Sequence, residues 1–256
     1  MNSAVVSSFD PALVALSIAF SIIGSFVALT AAGRINRANG RVSRGNIFSA
    51  GLALGGVGVW SMHFVGMQAL KMDVGSSYSL PETVISLTAA IVGSSIAFGY
   101  AAKAPGQINR ILLAGFLLGL GVVVMHYLGM YGLRINGFIQ WDYTIVAASV
   151  IIAVVAATAA LWLAFNSRSL SKRFVAALVM GAAVCAMHYT GMAAADFICT
   201  TANRDALPQG WGLISRFTLP SLVIVITLLL TTLISLDQFY QYFSTRFTPS
   251  KAPARG

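Results

Sequence analysis

Apolar residues run in long blocks along this chain, and polar residues collect in short gaps between them. Seven blocks have the roughly 20 mostly apolar residues that a membrane-spanning helix needs: about 12–33, 46–69, 82–102, 109–131, 143–165, 172–195 and 216–237. Without water to satisfy the backbone, each is expected to be a helix. The pattern predicts an all-α integral membrane protein with seven spanning helices.

Composition agrees. The chain of 256 residues is 57% hydrophobic and 9% charged, with a mean hydropathy of +0.82, against about 25% charged residues in an ordinary soluble domain. The N-terminus carries Asp10 before a long apolar stretch and lacks a basic segment, which reads as a spanning helix and not as a cleaved signal peptide. Cys185 and Cys199 make no CxxC pattern and define no disulfide framework.

The net charge of +9 is explained by where the charges fall. Arg34, Arg37, Arg41 and Arg44 follow helix 1, Lys103 and Arg110 follow helix 3, and Arg168, Lys172 and Arg173 follow helix 5; Arg246, Lys251 and Arg255 lie in the tail. In a seven-helix arrangement these 12 of the 16 basic residues share one side. The other side has Lys71, Arg134, Arg204 and Arg216, with Asp10, Asp73, Glu82, Asp142, Asp196 and Asp205. Cytoplasmic loops carry the excess of Lys and Arg, so the N-terminus is expected outside and the C-terminus in the cytoplasm. No basic run with interleaved aromatics suggests a nucleic-acid partner. Residues 1–240 read as one seven-helix domain, and 241–256 as a short cytoplasmic tail.

One hexapeptide recurs on helices 2, 4 and 6: Met-His-Phe-Val-Gly-Met at 62–67, Met-His-Tyr-Leu-Gly-Met at 125–130 and Met-His-Tyr-Thr-Gly-Met at 187–192. It contains all three histidines, 63 and 62 residues apart, and six of the nine methionines. The repeating unit is therefore a helix pair, 1–2, 3–4 and 5–6, with helix 7 left over. Gly56, Gly119 and Gly181 stand six residues before the first Met; Gly58, Gly121 and Ala183 stand four before it. Small residues let helices approach closely in lipid, so the three motif helices are expected to pack together or around a shared centre.

His63 and Met67, His126 and Met130, and His188 and Met192 are four residues apart and share a helix face. Each histidine lies about 9 Å from the outer end of its helix. A single buried His beside a Met is ordinarily core packing, but three copies at one depth, with no histidine elsewhere, favour a ligand role. Imidazole with soft thioether sulfur favours copper, Cu(I) above all; haem with His or His/Met axial ligands is the competitor. Met62, Met125 and Met187 border the same face, and Cys185, three residues before His188, adds a candidate thiolate. Cys199, Met72 and Met180 are weaker candidates. No Ser/His/Asp set, P-loop or GxGxxG stands in a suitable context, so no enzyme is expected. No charged path near the midplane suggests a transporter.

The triple Met-His-Tyr/Phe-x-Gly-Met resembles the MHYT domain, a bacterial integral-membrane sensor module, over essentially the whole chain. The resemblance implies an inner-membrane protein that binds copper near the outer face through Met and His, with Cys185 and Cys199 optional, and senses oxygen, carbon monoxide or nitric oxide. It further implies a cytoplasmic output such as a cyclic-di-GMP enzyme, a histidine kinase or a DNA-binding regulator, with this chain a sensor fragment or a stand-alone member. Phe64 departs from the motif's Tyr and argues against the ring hydroxyl as a ligand. A haem- or copper-dependent membrane redox protein and a copper carrier are the alternatives from other classes.

Overall fold

The computed structural model describes residues 3–36, 41–166 and 169–247. Among the described residues seven helices are long and apolar enough to cross a membrane: α1 (Pro11–Ala32), α2 (Arg44–Ala69), α3 (Leu80–Ala102), α4 (Ile108–Gly132), α5 (Tyr143–Asn166), α6 (Leu170–Ala193) and α7 (Thr218–Phe247). Local chemistry sets several ends. Asp10 caps α1 by accepting from Ala12 and Leu13, with Pro11 at the first helical position, while Ser43 caps α2 and Ser169 caps α6; an N-cap oxygen satisfies donors that the helix itself cannot.

α1 to α6 form a closed ring in which each helix packs on the next and α6 returns to α1. The motif helices α2, α4 and α6 also meet one another at the centre, and α7 lies outside the ring against α1 and α2. Buriedness follows this order: 78% of the apolar window of α2 is enclosed, but only 22% of that of α7. At the end bearing the basic loops, Arg34 Nη1 donates to the Gln238 Oε1 at 2.8 Å and to its backbone carbonyl. Gln238 in turn donates to Asn46 Oδ1 at 3.1 Å, and Asn46 to the Arg34 carbonyl at 3.1 Å. That knot ties α7 to the α1–α2 connection.

The opposite end adds short strands to this all-helical frame. Among the described residues eight short strands cap it: β1 (Ser3–Ala4), β2 (Ser7–Phe9), β3 (Leu70–Met72), β4 (Ser76–Ser79), β5 (Leu133–Ile135), β6 (Gly137–Trp141), β7 (Ala195–Cys199) and β8 (Leu213–Ser215). They pair antiparallel as β1-β7-β6, β2-β3 and β5-β4-β8. Buried connections must find partners for their backbone groups, and pairing segments from distant parts of the chain meets that need. The cap also displaces the expected end of the sixth helix, which stops at Ala193 because Ala195 already belongs to β7. α7 continues to Phe247, so residues 241–247, assigned to the tail, are helical. Residues 248–256 of that tail, with Lys251 and Arg255, and the loop residues Arg37 and Arg168, lie outside the described residues, as does the side chain of Arg246.

Three ion pairs brace the cap: Lys71–Asp10 at 2.8 Å, Arg134–Glu82 at 2.7 Å and Arg204–Asp73 at 2.8 Å. The Lys71 ammonium and the Arg204 guanidinium, each hydrogen-bonded to its partner, hold the Asp10 and Asp73 carboxyls below the usual carboxylate range. Burial pushes the Tyr78 phenol upward.

Candidate metal centre

Within α2, residues Leu52–Ser61 adopt the wider π-helical winding. Such segments are rare and occur often beside functional sites. Here glycines let neighbours press in: a Cβ on Gly55 would strike the Ala90–Ile91 backbone, and one on Gly58 would lie 3.4 Å from Ser25 N. The Ser61 hydroxyl donates to the Gly56 carbonyl at 2.8 Å and accepts from Thr227 of α7 at 2.6 Å. The α-helical winding resumes at Met62, which sets His63 in the first turn after the π segment.

His63, His126 and His188 are completely buried and meet at the ring centre. Their Nδ1 atoms form a triangle with sides of 3.1, 3.1 and 3.3 Å. No assignment of protons satisfies this triangle. A neutral imidazole Nδ1 either donates or accepts. With one proton among the three atoms, two lone pairs face each other; with two, both protons crowd one acceptor. A cation at the centre accepts all three lone pairs at once. A point equidistant from the three nitrogens lies about 1.8 Å from each, close to the ~2.0 Å of a metal–nitrogen bond, so the three imidazoles could hold an ion between them. The residues therefore fit a trigonal metal ion. They do not fit haem between them, because nitrogens 3.1–3.3 Å apart leave no slot for a macrocycle.

The far side of each ring explains the fifth motif residue. His63 Nε2 lies over Gly129, His126 Nε2 over Gly191 and His188 Nε2 over Gly66. A Cβ at any of these glycines would collide with the imidazole above it, so each ring uses a neighbouring motif helix as its seat. The three Nε2 atoms have no hydrogen-bond partner among the described residues. Each ring is also braced by the aromatic that follows it, edge-to-face at 4.8, 4.8 and 4.7 Å for Phe64, Tyr127 and Tyr189.

Those aromatics tie the motif helices to the outer ring through one serine per repeat. Ser17, Ser86 and Ser149 are the seventh residues of α1, α3 and α5, all fully buried. Each donates its hydroxyl proton to the carbonyl three residues earlier, at 2.7–2.8 Å. The serine oxygen is thus left as an acceptor. Tyr189 O–H donates to Ser17 at 2.8 Å and Tyr127 O–H to Ser149 at 2.6 Å. In the first repeat Phe64 has no hydroxyl, and Trp60 Nε1 donates to Ser86 at 3.2 Å instead. The motif aromatic is a tie to the outer helices.

The six motif methionines, Met62, Met67, Met125, Met130, Met187 and Met192, are all buried. Cys185 is buried on α6 and stands outside the cluster of converging donors. Cys199 lies in β7, its thiol directed to the Thr201 carbonyl at 3.6 Å.

Two parts of the site escape sequence reasoning. The upstream glycines, expected between motif helices, face the outer ring instead: Gly119 abuts Val154 of α5, Gly181 abuts Ile22 of α1, Gly58 abuts Gly24 and Gly121 abuts Gly93. The glycines between motif helices are those inside the hexapeptide, and their recurrence in all three copies was the available signal.

Comparison with known proteins gives three matches in register with the repeats. The MHYT family model, described as a bacterial signalling protein N-terminal repeat, matches residues 56–114, 119–177 and 181–241. The chain is 41% identical over 232 residues to MucR of Pseudomonas aeruginosa, a bifunctional diguanylate cyclase/cyclic di-GMP phosphodiesterase, covering 87% of this chain and 33% of MucR. It is 30% identical over 218 residues to NbdA of the same organism, a cyclic di-GMP phosphodiesterase, covering 80% and 28%. It is 28% identical over 210 residues to the signalling protein YkoW of Bacillus subtilis, covering 79% and 25%. The chain thus spans a third or less of the length of these relatives. No solved structure matches.

Proposed function

This chain belongs to the MHYT family of bacterial signalling proteins, and on that footing we propose that it is a membrane sensor built on a copper centre held by His63, His126 and His188. The observation that carries the reading is the triangle of buried Nδ1 atoms that protons cannot satisfy. Among the described residues the cluster holds three histidines and no carboxylate or thiolate, so an ion there is charge-compensated by nothing. Desolvation scales with the square of charge, about fourfold worse for a divalent than a monovalent ion. That favours Cu(I) over Zn²⁺ among imidazole-loving metals. The thioethers of Met67, Met130 and Met192, one turn nearer the capped end, and of Met62, Met125 and Met187, adjacent in sequence, add softness in the same direction; Cys185 is the remaining candidate.

The capped end with its ion pairs is the outer face, and the loops rich in Lys and Arg lie in the cytoplasm, with the protein in the bacterial inner membrane. Copper supplies an open coordination position for oxygen, carbon monoxide or nitric oxide. The protein's own groups hold the three rings, exclude water and link the centre to α7 through Ser61 and Thr227. Signal output is cytoplasmic, cyclic di-GMP turnover being the model offered by MucR and NbdA. A ligand shifts such a protein only by binding one conformation better than another.

Metal analysis of the purified protein after loading with Cu(I), Zn²⁺ or haem tests the reading. One copper per chain is expected, lost in His63→Ala, His126→Ala and His188→Ala and kept in Phe64→Tyr. A folded wild type that binds no copper refutes it. Copper flux into liposomes would instead identify a carrier.

A further inference from the structure

One helical turn behind the histidines lies a void. Its walls include Val59, Val122, Val184 and Met187, and every lining side chain is apolar. The three valines each precede their histidine by four residues, so they form the next layer of the bundle axis, about one helical turn toward the basic-loop end. The void offers about 20 Å³ by the measure in which one water-sized sphere needs ~10–15 Å³. That is room for one molecule of very few atoms. A void with only apolar walls stays dry and takes up apolar guests.

One break in the threefold pattern shows how it is reached. The fourteenth residues of α1, α3 and α5 are Gly24, Gly93 and Ala156. Gly24 lies against Gly58 and Gly93 against Gly121, and Ala183 holds the equivalent place on the third motif helix. In the first two repeats the helices close glycine to glycine, a Cβ on Gly93 lying 3.3 Å from the Cα of Gly121. In the third repeat both residues are alanine and both line the void; they are half-buried, as Gly93 and Gly121 are. This half-buried pair of methyl groups marks a seam between α5 and α6 at the edge of the void.

We infer that this valine chamber is a docking site for one small apolar molecule of diatomic-gas size, entered from the bilayer between Ala156 and Ala183 and adjoining the histidine centre on its cytoplasmic side. The seam opens on hydrocarbon, where apolar gases dissolve and ions do not, and the walls offer a polar molecule no partner. The link from chamber to sensing rests on the function proposed above; the chamber itself does not.

Xenon is the probe, followed by ¹²⁹Xe exchange on the purified full chain with and without copper. Saturable xenon binding is expected in the wild type, tightened by Val122→Ala, lost in Val122→Ile, and slowed in exchange by Ala183→Phe, whose ring would stand at the lipid boundary. No xenon binding in the wild type, or binding indifferent to both changes at Val122, overturns the chamber. Exchange unaffected by Ala183→Phe overturns the seam as its entrance. A carbon monoxide difference spectrum of the Cu(I)-loaded protein is run in parallel: xenon bound with no response to carbon monoxide upholds the chamber and refutes gas sensing at the metal.

Discussion

Gly129→Ala puts a methyl group beneath the ring of His63. The new Cβ would meet Cδ2 of that imidazole at 2.9 Å and Cε1 at 3.3 Å, and Nε2 more closely still. Ordinary contact needs about 3.5 Å, so the rigid ring must retreat or α2 and α4 must part. Metal–ligand bonds tolerate only about ±0.2 Å, and a ring movement approaching an ångström takes Nδ1 beyond that. Overpacking costs ~1–3 kcal/mol of fold stability. The copper affinity should fall roughly 10–100-fold, the range found when a residue supporting a metal ligand is lost. Titration against a colorimetric Cu(I) chelator in detergent measures the affinity, and a melting curve without copper measures the fold. Gly66→Ala and Gly191→Ala should behave alike, each disturbing one ring. Gly56→Ala, whose Cβ finds nothing nearer than 3.6 Å, should leave both readings unchanged. A folded Gly129→Ala protein with wild-type copper affinity refutes the claim that the glycine seat positions the ring.

Three further outcomes rest on the hydrogen-bond ties and the cap. Tyr127→Phe and Tyr189→Phe should each lower stability by about 1 kcal/mol, read as a drop in melting temperature. Phe64→Tyr should gain nothing, because Trp60 already serves Ser86; a stabilisation equal to the loss in Tyr127→Phe would contradict the assignment. Asp10 and Asp73 are held below their ordinary range by Lys71 and Arg204. The unfolded cap therefore takes up protons first as pH falls. Protection of the β2–β3 amides should be flat from pH 7 to about 5 and decline as the pH drops below about 4; opening between pH 7 and 5, followed by hydrogen exchange, would exclude these ion pairs as the brace.

Hydropathy located the spans because lipid punishes any unpaired backbone group, so length and apolarity carry nearly the whole signal. The expected 109–131 is found as Ile108–Gly132 and 143–165 as Tyr143–Asn166. The cap was illegible because its strands are two to five residues long and draw their partners from far along the chain, leaving no local alternation to read. The π segment was hidden too: Leu52–Ser61 is an apolar run like its neighbours, and only the pressure of α1 and α3 against its glycines distinguishes it. At the centre, equal spacing foretold that the three histidines share a depth, and they meet there. Which glycine each ring would rest on depends on the hand in which three helices surround an axis, and no single helix encodes that. Ser17, Ser86 and Ser149 were invisible for a related reason, since their equivalence shows only when positions are counted from observed helix starts.

The seating of the rings has a sense of rotation: α2 leans on α4, α4 on α6, and α6 on α2. Builders call three beams that support one another in a circle a reciprocal frame, and its property is that no beam can be withdrawn alone. Sliding one motif helix removes the seat of one ring while carrying off another, so two of the three nitrogens shift in the same event. Such a centre is assembled or dismantled as a unit, and the double change Gly66→Ala with Gly129→Ala should cost less than the two single changes added together.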